Sequence, residues 1–252
     1  MTGLVKGEFR KLLTTQVWFW MLIVAMSLTV LGVVGTILGA ESDAILQAQV
    51  RDVFVASSAA FTYVPLFVLG VLAITTEFRY QTITPTVLTT PSRWTLITAK
   101  IIAYVIVGIG YALACLIIEL AVALPWLAAR GIDYSLSDQL GALLAVFAVL
   151  TLFTLLGLGA GALLKNQVVA VSVGVIFIVV FANLILVIPG LKYAYAYLPT
   201  GLVNAVVTRS DAERTFNNVT LLAPGTAAVV LVVWGIGMAL LGAGITMRRD
   251  IT

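Results

Sequence analysis

Long, uninterrupted apolar runs alternate with short polar stretches along this chain, and the runs show no period-two alternation. Six of them approach or exceed the roughly 20 residues a helix needs to cross a hydrocarbon core about 30 Å thick: about 17–38, 53–76, 101–129, 140–164, 168–188 and 226–247. A backbone in lipid must satisfy its own hydrogen bonds, so each run is expected to be helical, and the short alternating segments of a β-barrel are missing. The third run is long and contains Glu119 and Pro125, which predicts a tilt, a bend near its outer end or an extension into the headgroups. Only Lys165-Asn166-Gln167 separates the fourth from the fifth, the mark of a tight helical hairpin. The expected fold is an all-α integral membrane protein of six transmembrane helices in one domain, 1–252.

Residues 2–16 read as an amphipathic helix lying on the membrane. Val5, Phe9, Leu12 and Leu13 fall at i, i+4, i+7 and i+8, while Lys6, Glu8, Arg10 and Lys11 fill the remainder, where the cations meet anionic headgroups. Trp18 and Trp20 then mark the interface. This helix is either a simple anchor or one that also touches a cytoplasmic partner. The first apolar run is longer than a signal-peptide core, and five more follow it, so a retained first helix is expected. In the outer loop 189–223, Tyr193, Tyr195 and Tyr197 suit a membrane interface, and Leu202–Val207 suits a short helix dipping into the leaflet. Asn218-Val219-Thr220 is a three-residue glycosylation match, read as chance. Gly35 with Gly39, and Gly157 with Gly161, have the G-x-x-x-G spacing that lets helices approach closely.

Composition agrees: the 252 residues are 62% hydrophobic and 10% charged, with a net charge of +3. With a cytoplasmic N-terminus, one face holds Lys6, Arg10, Lys11, Arg79, Arg93, Lys100, Lys165, Arg248 and Arg249 against Arg51, Arg130, Lys192, Arg209 and Arg214 on the other. The positive-inside rule then places both termini in the cytoplasm. Cys115 is the only cysteine and no histidine occurs, which removes disulfides, Ser-His and Cys-His catalysis and His-ligated metals. "GLGAGALLKN" lacks the G-x-x-x-x-G-K-[ST] pattern and lies at membrane depth, so helix packing explains its glycines.

The segment 77–100, "EFRYQTITPTVLTTPSRWTLITAK", breaks the pattern. Thr84-Pro85 and Thr90-Pro91 each resemble a helix start, an N-cap followed by Pro. The first piece would lie across the cytoplasmic surface with Ile83, Val87 and Leu88 available to a partner, and the second would run into the third span. About 24 residues is long for a passive connection between membrane helices.

Here the chain resembles the ABC-2-type permeases, the membrane subunits of ATP-binding-cassette exporters. Glu77, Thr82, Leu88, Pro91, Ser92, Arg93 and Lys100 stand in the order of that family's loose pattern, and "GALLKNQVVAVSVG" and the region 189–201 are also similar. The family usually has Gly where this chain has Gln81, and Pro85 falls inside its short helix. The resemblance implies a coupling helix at about 82–90, with Glu77, Arg79, Gln81, Thr82, Ile83, Thr84, Pro85, Val87, Leu88, Pro91, Arg93 and Lys100 serving ATPase coupling. Lys6, Glu8, Phe9, Arg10 and Lys11 would belong to an interface helix. It implies two copies of a cytoplasmic ABC ATPase, which would hold ATP and Mg, and a second permease copy in a homodimer or similar heterodimer. This chain itself would be no enzyme and hold no cofactor; its partners would include membrane lipid and no nucleic acid. The location would be the bacterial plasma membrane, multi-pass. Glu119, a carboxylate at membrane depth, either contacts cargo in the pathway or snorkels or hydrogen-bonds structurally. The apolar texture suits a drug, antibiotic or lipid. The alternative is an ATP-independent channel or scaffold.

Overall fold

In a computed structural model, residues 2–56, 61–80, 93–207 and 215–248 are described. They form an all-α protein in which helices α1 (Thr2–Thr14), α2 (Val17–Gly39), α3 (Asp43–Ala48), α4 (Val50–Val53) and α5 (Tyr63–Arg79) lead to a long α6 (Arg93–Ala129). After these come α7 (Leu136–Leu164), α8 (Gln167–Val187), α9 (Pro199–Val207) and α10 (Pro224–Arg248). Among the described residues, five helices are long and apolar enough to cross a membrane: α2, α6, α7, α8 and α10. The chain is thus a multi-pass membrane protein by architecture.

The second expected span differs from its sequence reading. In place of one helix over 53–76, the described chain has α4 and then α5, which starts only at Tyr63. Pro65 explains the start. Its ring would collide with the carbonyl four residues back, at Phe61, and it has no N–H to donate, so it fits only the first turn of a helix. Phe61 itself has φ +58°, a left-handed conformation that an α-helix does not run through. At 17 residues α5 is about 25 Å long, short of a full hydrocarbon core.

Helix α7 is the axis of the bundle, with α5, α6 and α10 packed around it. Glycines set the α5–α7 approach: a Cβ on Gly157 would lie 1.9 Å from the Phe67 carbonyl oxygen, and one on Gly161 would lie 2.7 Å from that of Val71. The Gly157–Gly161 pair therefore packs helices as its spacing predicts. Gly35 and Gly39 do not; among the described residues nothing approaches either, because that face of α2 points away from the bundle.

Charged and polar contacts tie down both ends of the bundle. At one end, Arg79 at the close of α5 meets Gln167 at 3.3 Å, and the Lys165 ammonium sits 5.5 Å from the Phe78 ring, so the α7–α8 hairpin lies beside the end of α5. That hairpin is as tight as expected: Lys165 takes φ +55° and the Asn166 side chain accepts from the Val169 N–H at 3.1 Å. At the opposite end Gln47 donates to the Asp133 carbonyl and accepts from the Asp133 N–H, both at 2.8 Å. Arg130 pairs with Asp43 there at 3.3 Å. Beneath these contacts lies a separate apolar cluster containing Val33, Ile37, Leu46, Phe54 and Leu127.

Helix α8 relaxes to a π-turn at Phe177–Phe181, where the backbone ladder lengthens and carbonyls lose their ordinary partners. Thr200 of α9 donates its hydroxyl to the Ile178 carbonyl at 2.9 Å. Helix α9, expected over 202–207, starts at Pro199, which suits a first turn, and is buried almost throughout. Tyr193 and Tyr197 are exposed, but Tyr195 is fully buried and accepts from the Asn204 amide at 2.7 Å, so it belongs to the core rather than to an interface belt. Asn217 and Asn218 both have positive φ and join the strands Thr215–Phe216 and Val219–Thr220 as a two-residue hairpin turn.

Candidate functional site: a buried ring of four charges

Helix α1 brings two charges to the bundle, and α5 and α6 bring one each. Lys11 Nζ lies 2.8 Å from Glu8 Oε1 and 2.7 Å from Glu77 Oε1. Lys100 Nζ closes the ring at 2.5 Å from Glu8 Oε2 and 3.1 Å from Glu77 Oε1. Each ammonium therefore touches both carboxylates. Lys100 also donates to the Ala73 carbonyl at 3.1 Å and lies 5.9 Å from the Tyr104 ring. Glu8, Glu77 and Lys100 are buried, and Lys11 is half-exposed.

Burial is costly for any of these groups alone, and here each is compensated by opposite charges in hydrogen-bonding contact. Burial on its own would push the Glu8 carboxyl up, but the Lys100 ammonium, helped by Lys11, holds it below the usual carboxylate range. Burial would likewise lower Lys11, and the carboxylates of Glu77 and Glu8 hold it above the usual lysine value.

The ring redirects α1. Glu8 was expected off the apolar face with Lys6, Arg10 and Lys11, but it is buried while those three cations keep exposed side chains. Phe9 packs against the start of α6 with Ala103 and Tyr104, whereas Leu13, expected on the apolar face, is 59% exposed. The periodicity carried a signal for this: Val5, Glu8 and Leu12 stand at i, i+3 and i+7, so Glu8 lies on the stripe that docks. Helix α1 therefore packs on the protein as well as flanking the membrane run.

Several residues singled out from the sequence lie elsewhere. Gln81, Thr82, Ile83, Thr84, Pro85, Val87, Leu88 and Pro91 are outside the described residues. Arg93 opens α6, so the helical piece expected from Pro91 into the third span is continuous with that span from Arg93 onward. Arg79 is exposed, hydrogen-bonded to Gln167 and stacked on its neighbour Tyr80 at 5.7 Å. Glu119 is fully buried in α6, which excludes snorkelling to a headgroup layer. Its surroundings are polar for membrane depth: the Cys115 thiol lies beside it and near Thr29, whose hydroxyl is 3.4 Å from that of Thr62, next to the start of α5.

A cavity of about 490 Å³ opens beside the ring, bounded by Glu8, Lys11, Glu77, Arg79 and Tyr104, with Leu12, Val17, Leu69 and Leu72 as its apolar wall. Among the described residues no group of three metal-ligating side chains comes together. Compared with known proteins, the chain matches no family model and no curated protein.

Proposed function

We propose that this chain is the membrane-spanning subunit of an ABC-2-type exporter, moving a drug-like or lipid cargo with energy from ATP hydrolysed on a separate ABC ATPase. The observation that carries this reading is the four-charge ring. Glu77 lies in the last turn of α5 and Lys100 in the second turn of α6, on either side of the segment that joins them, and both are held in one ring with α1. A loop that receives force from a cytoplasmic motor needs such a base. Displacement of the loop is then delivered to α5, α6 and α1 together, as rigid-element switching requires. On this reading α5 with the residues before it forms the sixth crossing, both termini are cytoplasmic, and two copies share one pathway. Glu119, fixed and buried in α6, serves the pathway as a buried carboxylate that orients neighbouring helices.

The test is ATP-driven export by the chain co-expressed with an ABC ATPase encoded beside its gene. Deletion of 82–90, or Arg93→Glu, is expected to abolish export while leaving the membrane subunit folded and inserted. Export unchanged by both variants would overturn the coupling role and favour an ATP-independent channel or scaffold.

A further inference from the structure

Helices α8 and α10 each pack on α7 but make little contact with one another, and a cavity of about 210 Å³ lies in the gap between them. Its walls include Phe67 of α5, the π-turn residues Phe177 and Ile178 of α8, Pro199 of α9, and Trp234 and Met238 of α10. The stretches of α7, α8 and α10 that line it fall within the spanning parts of those helices, so the cavity sits at the depth of hydrocarbon. A Cβ on Gly174 would lie 2.4 Å from the Phe67 ring, so the glycine is what admits that ring to the wall. Thr200, next to Pro199, donates to the Ile178 carbonyl and holds α9 against the π-turn. Val173 also lines the cavity and is 52% exposed, which sets the mouth on the outer surface of the bundle, toward lipid.

The chemistry of the lining selects the ligand. Trp234 carries the only side-chain N–H or O–H on the wall, and it already donates to the Tyr197 carbonyl at 3.0 Å. The Ile178 carbonyl is likewise taken by Thr200. With no free hydrogen-bonding side chain, the cavity has nothing to offset the desolvation of a charged or strongly polar molecule. Phe67, Phe177 and Trp234 present rings and Met238 a polarisable thioether, surfaces that favour the face or edge of another ring. An apolar cavity of about 150 Å³ holds one benzene, so the space here suits a molecule of one or two rings. A flexible acyl chain gives up more freedom on entering than a rigid ring system does, and gains less from ring faces in return. We propose that this cavity binds an uncharged, planar aromatic molecule dissolved in the bilayer, which enters sideways past Val173 between α8 and α10. The site needs no ATPase and does not rest on the exporter reading.

The experiment is photolabelling of the full chain in phosphatidylcholine vesicles with phenyl trifluoromethyl diazirine, an uncharged one-ring probe, the labelled residues being mapped by mass spectrometry. Labelling is expected to saturate on Phe177, Ile178, Trp234 and Met238, and to rise linearly with probe on the lipid-facing Val229 and Leu241. Naphthalene in excess is expected to remove the saturable part, and oleic acid at the same concentration to leave it. Val173→Trp, which plugs the mouth, is expected to weaken the saturable labelling about tenfold, the factor that about 1.4 kcal/mol of lost ring contacts gives. Ile176→Trp, exposed on the same helix but off the cavity wall, is expected to leave it unchanged. Linear labelling throughout, wild-type labelling in Val173→Trp, or an equal loss in Ile176→Trp overturns the proposal. Competition by oleic acid as strong as that by naphthalene assigns the cavity to an acyl chain and overturns the aromatic ligand. Where Val173→Trp fails to insert, the two competitors on the unaltered chain decide the matter.

Discussion

Glu8 and Lys100 stand 92 positions apart in the chain and meet at 2.5 Å, joining an interfacial helix to the start of a membrane-spanning one. Neither is accessible, so the contact is maintained in a place where either charge alone would be expensive.

Removing one partner should therefore cost more than the contact is worth. Lys100→Met is expected to destabilise the protein by about 3–5 kcal/mol, because two carboxylates stay buried with a single half-exposed lysine between them. Adding Glu8→Gln to Lys100→Met is expected to cost less than the sum of the two single changes. Thermal unfolding of the four species in a double-mutant cycle measures this coupling.

The docking of α1 should also depend on pH at both extremes. The Glu8 carboxyl is held below its ordinary value of 4.5, so its stabilisation is present above that value and is lost as pH falls through the lowered one. Lys11 is held above its ordinary 10.5, so its contribution is complete below that value and is lost as pH rises through the raised one. Protease protection of α1 is expected to be flat between these limits and to fall beyond each. Lys100→Met should alter the acid limb, since Lys100 is the main charge holding Glu8 ionised.

Gly157→Ala is expected to force α5 and α7 apart, because the new methyl would meet the Phe67 carbonyl rather than a side chain able to turn away. Overpacking of this kind costs about 1–3 kcal/mol, and a backbone obstacle places it at the upper end. Gly35→Ala and Gly39→Ala meet open space and are expected to leave the melting temperature of the isolated chain unchanged or slightly raised.

Thr200→Val keeps the side-chain volume but leaves the Ile178 carbonyl without its hydroxyl donor at the π-turn. A buried carbonyl so abandoned costs about 1–3 kcal/mol. Hydrogen exchange is expected to accelerate in α9 and around 177–181 while remaining slow in α7.

Much of this architecture was legible because apolar run length is a strong signal in lipid. The bounds of α2, α7 and α10 follow from it, and Lys165-Asn166-Gln167 was visible as a hairpin. What escaped was local chemistry overruled by tertiary packing. Pro65 marks the start of α5, but its message was submerged in an apolar run that looked continuous. Glu8 reads as a surface charge until Glu77 and Lys100, far along the sequence, supply the countercharges that let it turn inward. Tyr104 gives no sequence signal at all; only its ring, 5.9 Å from the Lys100 ammonium, distinguishes it from an ordinary aromatic residue in a span.

Helix α6 is fastened near its two ends by different means: the charge ring ties Lys100 to α1 and α5, and the reciprocal Gln47–Asp133 amide contact ties the residues just past its other end to α3. Held at both ends, α6 tilts only by carrying these neighbours with it. Helix α8 has a π-turn at 177–181 and is less buried along its apolar stretch than α7. Stiffness is thus spread unevenly along the bundle: α6 is anchored at both ends, while α8 is loosened at 177–181 and held there by Thr200.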